Sequence, residues 1–163
     1  MPAVAEAKRA AGRAVRDRAR EARVLDAAHA AVAREAARLG RAAPPRESID
    51  AFYRAQIEAA VALQERVLGE PPRGAAGFDL GQELRPALLR IGDRIAWLAV
   101  RLERAPDPEA DRSAIARELA PHGLGAEHAA AIARSLEALV AAQTRANARA
   151  SRPASTGSIS DTP

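Results

Sequence analysis

Alanine makes up roughly a quarter of this chain, and apolar residues recur at three- and four-residue intervals between breaks made by proline and glycine. Alanine gives up no side-chain entropy in a helix, so the composition drives the backbone toward helix. Aromatic residues are only 2% of the chain, too few to furnish the large side chains of a sheet core. The sequence therefore predicts an all-α, single-domain helical bundle over residues 1 to 150. From Ser151 to Pro163, Ser, Thr, Gly and Pro dominate and no apolar stripe survives, which predicts a disordered tail.

The punctuation divides the bundle. Ala3 to Ala11 has helical composition. Asp17 is a suitable N-cap for a longer helix ending at Leu39, where Gly40 can take the left-handed conformation. Its apolar stripe is Leu25, His29, Val32, Ala36 and Leu39. After Pro44 and Pro45 a second helix runs to Leu68 with Ile49, Tyr53, Ile57, Ala60, Leu63 and Val67 on one face. Residues 69 to 78 read as a loop rich in Gly and Pro, and Asp79 with Gln82 resembles a capping box. Leu84, Leu88, Ile91, Ile95, Leu98 and Leu102 then predict the core stripe of a helix whose regular part begins near Arg85, since Pro86 is tolerated only in a first turn. Pro106 and Pro108 open a connection to a short helix ending near Pro121, and Ala126 to about Asn147 forms the last helix.

Charge and class narrow the function. The net charge is +4, and Lys8 is the only lysine, so the positive charge is almost entirely arginine. The arginines alternate with acids and no basic block is interleaved with aromatics, which argues against nucleic acid. No apolar run approaches the roughly 20 residues of a membrane span, and Met1 to Arg9 lacks the apolar core of a signal peptide, so the chain as written is expected in the cytosol with no membrane partner. The absence of cysteine excludes disulfides and thiolate metal sites. His29, His122 and His128 lack the spacing of a metal motif, and neither a serine-nucleophile motif nor a glycine-rich phosphate loop is present.

What remains is a set of polar residues on apolar faces. Gln64 shares its helix face with Tyr53, Ile57, Ala60 and Val67, and a buried amide needs partners. Arg85 opens a helix whose next turns on that side are Gly92 and Ala96, small enough to leave room beside a guanidinium. Arg20 lies one turn past Asp17, within reach of an i,i+3 contact. Taken singly, these are solvated helix charges and an interhelical hydrogen bond. Taken together, converging arginines, one lysine and one glutamine suit a small polycarboxylate ligand.

Val4-Ala5-Glu6-Ala7-Lys8 followed by Val15-Arg16-Asp17-Arg18-Ala19-Arg20-Glu21 resembles the all-helical chorismate mutases, which carry a lysine and then Asp-x-x-Arg-Glu at this interval. Ala51 to Ala59 with Gln64, and Leu84-Arg85-Pro86-Ala87-Leu88 with Arg94, are similar to the exported, gamma-type branch of that family. The resemblance covers about Ala3 to Leu102. It implies rearrangement of chorismate to prephenate, a step of aromatic amino acid biosynthesis that uses no cofactor and no metal. Carried over by position, Lys8 and Gln64 would be catalytic and face the ether oxygen of the substrate. Arg20 and Arg85 would hold its carboxylates, Glu21 its hydroxyl, and Asp17 would support the cluster.

The family also places an arginine about three helical turns upstream of the lysine, and often Ser, Thr or Asn where this chain has Ala60. A start further upstream would supply both that arginine and an export signal, with a periplasmic or secreted product. The same superfamily contains isochorismate pyruvate-lyases and aminodeoxychorismate mutases. A catalytically inactive, alanine-rich helical interaction protein is the non-enzyme alternative. A homodimer stays open, since gamma-type relatives close each site within one chain while other branches share helices between subunits.

Overall fold

The computed structural model describes residues 2–71, 85–102 and 107–151. They form an all-helical bundle: α1 (Pro2–Ala10), α2 (Arg18–Arg38), α3 (Arg46–Gly69), α4 (Arg85–Arg101), α5 (Pro108–Leu119) and α6 (Ala126–Ala150), with a 3-10 turn at Ala120–His122 before α6. No strand occurs among the described residues. The expected capping box at Asp79 and Gln82, most of the loop from residue 69 to 78, and the tail beyond Ser151 lie outside them.

Local chemistry sets the helix ends. Asp17 is extended and its Oδ1 accepts from the Arg20 backbone N–H at 2.9 Å, satisfying one of the orphan donors of α2. At the other end Gly40 sits at φ +63°, a conformation that costs a side-chain-bearing residue energy but not glycine. Asp107 caps α5 through the N–H groups of Glu109 and Ala110, with Pro108 in the first turn.

Side-chain bonds fix the directions of the helices. Arg34 reaches Asp93 at 3.4 Å and Arg41 Nη1 donates to the Val100 carbonyl at 2.9 Å, so α2 and α4 advance side by side in the same direction. Arg66 of α3 donates to the Gly123 carbonyl just before α6, and Gln143 near the end of α6 donates to the Ala42 carbonyl just before α3. These two helices are therefore antiparallel. The core joins Leu25, Ala28, Val32 and Ala36 of α2 to Ile49, Phe52 and Tyr53 of α3, Ala96, Ala99 and Val100 of α4, and Leu139 of α6. Full burial of side chains such as Val100 and Leu139 stabilises by roughly 1.5–3 kcal/mol each.

The stripe expected for α4 differs from the one that packs. Of that stripe Ile95 packs against the core, Ile91 and Leu98 are exposed, and the buried face is Ala96, Ala99 and Val100. Small residues let α4 come close to α2, and that close approach selects the alanine face over the leucine face. Ala96 is fully buried in this contact and leaves no room beside a guanidinium, whereas a side chain added at Gly92 would meet nothing within 4 Å.

Candidate functional site

The segment linking α1 to α2 brings most of the expected polar residues together. Arg9 Nη2 donates to the carbonyls of Val67 and Glu70, at 2.6 and 2.9 Å, at the C-terminal end of α3. Arg16 makes a two-point pair with Glu58 further back along α3, one arm of it at 3.0 Å. Residues 9 to 16 thus run along α3 from Val67 toward Glu58, the stretch that contains Gln64. The sequence pattern did not single out Arg9 or Arg16, because their partners are more than 40 residues away.

Lys8 is buried, with Nζ donating to the Val15 carbonyl at 2.6 Å. Gly12, at φ +61°, lies in the turn that folds this chain segment back on itself. Desolvation, and then the nearby Arg20 guanidinium, hold the Lys8 ammonium below its ordinary value of 10.5, while Asp17 and Glu21 act in the opposite direction. All four charged groups therefore share one electrostatic neighbourhood. No ion pair joins Lys8 or Arg20 to a carboxylate among the described residues. The Arg20 guanidinium thus acts on a partly desolvated Lys8 ammonium as a like charge, which disfavours the charged form of Lys8.

Asp17 has a different role from the one its spacing suggested. Its carboxylate caps the backbone at Arg20 rather than gripping the Arg20 side chain, so that guanidinium is left for another partner. Glu21, half-buried in the first turn of α2, completes the cluster.

Gln64 is buried, and its Oε1 has no hydrogen-bond partner. No side-chain hydrogen bond of Gln64 to another described residue occurs, so the interhelical bond expected of a structural glutamine is not formed. An unmade bond at such a site typically costs about 1–3 kcal/mol, and the Oε1 of Gln143 on α6 is buried in the same unpartnered way. Arg85 is the first residue of α4, and its side chain lies outside the described residues. Tyr53 Oη donates to the Gly92 carbonyl at 3.5 Å, and burial, with a smaller contribution from Asp93, pushes its pKa up to about 12. It is a neutral donor across the physiological range.

Comparison of the chain with protein-family models, with curated proteins and with solved structures returns no match.

Proposed function

We propose that the chain is a chorismate mutase that rearranges chorismate to prephenate. The observation that carries this reading is the buried Lys8 in the electrostatic reach of Arg20, two cations without a carboxylate partner among the described residues, in the Lys and Asp-x-x-Arg-Glu pattern of the all-helical mutases. The buried and unsatisfied amide of Gln64, on the stretch of α3 along which residues 9 to 16 run, supports it further.

The chemistry asks for little else. In the substrate the ether carbon–oxygen bond breaks as a carbon–carbon bond forms, with the electrons moving in one ring and no proton or electron gained or lost. Negative charge builds on the ether oxygen in the transition state. Lys8, with one N–H spent on Val15, has two left to donate there, and the Gln64 amide supplies another donor. The guanidinium forks of Arg20 and Arg85 hold the two carboxylates so that the chain ends of the substrate stay close, and Glu21 accepts from its hydroxyl. Asp17 orders the first turn of α2 and thereby Arg20. A million-fold acceleration corresponds to about 8 kcal/mol, within reach of a few charge-assisted bonds in a dry site together with positioning.

The purified chain is tested by following chorismate loss and prephenate formation without added metal or nucleotide. Prephenate that disappears with Lys8→Met supports the proposal. Pyruvate or an aminated product from the appropriate relative of chorismate would reassign the site to another reaction, and no turnover of any of them would refute an enzymatic role.

A further inference from the structure

The exposed side of α4 carries a feature that the proposed reaction does not use. Ile91 and Leu98 are 55% and 44% exposed, and Leu89, on another side of the same helix, is exposed as well. Ile91 and Leu98 fall on one line of the helix with the half-buried Ile95 and Leu102. The alternating three and four spacing is a period of 3.5, the seam of a contact between two helices. The bundle fills the neighbouring face, Ala96, Ala99 and Val100, and takes one flank of Ile95 into its core, while Ile91 and Leu98 stay exposed.

Along one edge of the seam stand Arg90, Arg94 and Arg101. The guanidinium groups of Arg94 and Arg101 stack on Trp97 at 4.2 and 4.3 Å from its ring centre. None of the three pairs with a carboxylate among the described residues, whereas Arg16, Arg34, Arg38, Arg66 and Arg112 each do. The Arg101 Nε is buried without an acceptor. Stacking on the ring orders these forks in advance, so less rotamer freedom is lost when a carboxylate arrives.

We infer that this face of α4 docks one acidic amphipathic helix of a partner chain, with its apolar residues on Ile91 and Leu98 and its carboxylates on Arg94 and Arg101. A second copy crossing here in antiparallel fashion would set arginine edge against arginine edge, a like-charge contact. A bilayer would favour a broader apolar face than a narrow seam with two exposed aliphatic residues on it. A single helix with glutamates flanking its apolar line matches both the width and the charge.

The test uses a labelled three-heptad peptide with leucine at the seam positions and glutamate beside them, titrated with the full chain and read by fluorescence anisotropy. Saturable binding is expected, weakened about tenfold or more by Ile91→Glu and by Arg94→Glu, with circular dichroism unchanged because both positions are exposed. The same peptide with lysine for glutamate should not bind. No binding of the glutamate peptide, equal binding of both peptides, or binding untouched by Ile91→Glu would overturn the inference. So would sedimentation as a dimer that Ile91→Glu splits, which makes the occupant a second copy. Binding to phosphatidylserine-containing vesicles, in place of the peptide and lost in the same variants, would assign the face to lipid.

Discussion

Replacing Gln64 by leucine separates a residue kept for chemistry from one kept for the fold. The amide lies in the buried part of α3 with Oε1 unpartnered, and turning the amide over would only exchange which polar end is buried there. Leucine is of similar volume and asks for no hydrogen bond. The change removes a desolvated acceptor, a gain of about 1–3 kcal/mol, and breaks no hydrogen bond to another described residue. At roughly 2–4 °C per kcal/mol for a chain of this size, the melting temperature should rise by about 2–12 °C. Catalysis should move the other way. Loss of one preorganised donor at a developing oxyanion typically costs about 100- to 1,000-fold, so kcat for chorismate should fall by that order while KM changes little. Thermal unfolding followed by circular dichroism, together with chorismate turnover on the same preparation, reads both quantities. A melting temperature that drops by several degrees with kcat preserved would show that Gln64 is a structural amide and that the reasoning from its empty acceptor is wrong.

Lys8 gives a pH signature. A lysine held below its unfolded value binds fewer protons in the native state, so its contribution to stability rises with pH between that lowered value and about 10.5. The donor that the reaction needs disappears over the same range. The alkaline limb of kcat/KM should therefore fall below the ordinary lysine value without a matching loss of melting temperature from this group, and Lys8→Arg should abolish that limb; a limb unchanged in Lys8→Arg would contradict the assignment. Arg20→Lys keeps the charge but not the planar fork, and should cost about 1.5–3 kcal/mol of transition-state binding, read from kcat/KM. Arg18→Lys, exposed and two residues away on another face, should cost almost nothing, and equal effects would mean that both are solvated charges. Arg85→Lys should behave like Arg20→Lys in the same assay. Asp17→Ala removes the cap on Arg20 N–H and should lower the melting temperature by about 2–4 °C, with a smaller loss of activity through Arg20 than direct substitution of Arg20 brings.

The sequence by itself determined the features that depend on neighbours a few residues apart. Asp17 as a cap and Gly40 as a left-handed stop both follow from backbone groups that can be satisfied or blocked only locally. The buried stripes of α2 and α3 were legible in part: Leu25, Val32 and Ala36, and Ile49, Tyr53 and Leu63, are buried as the spacing expects, whereas Ala28, Ala31, Phe52, Ala59 and Val61 are buried by neighbours that the spacing did not reveal. The closeness of Asp17, Arg20 and Glu21 is also local, since they share the first turn of α2. On α4 the sequence offered two apolar faces, one of leucine and isoleucine and one of alanine, glycine and valine. Periodicity favours the larger side chains, but only the approach of α2 could decide, and close packing of backbones chose the small residues. The rest of the candidate site was decided in the same way. The burial of Lys8 depends on the Val15 carbonyl and on Arg9 fastening α1 to the end of α3, and the empty acceptor of Gln64 depends on what the surrounding helices fail to offer it. These are distances between residues far apart in sequence, and no pattern of three and four encodes them.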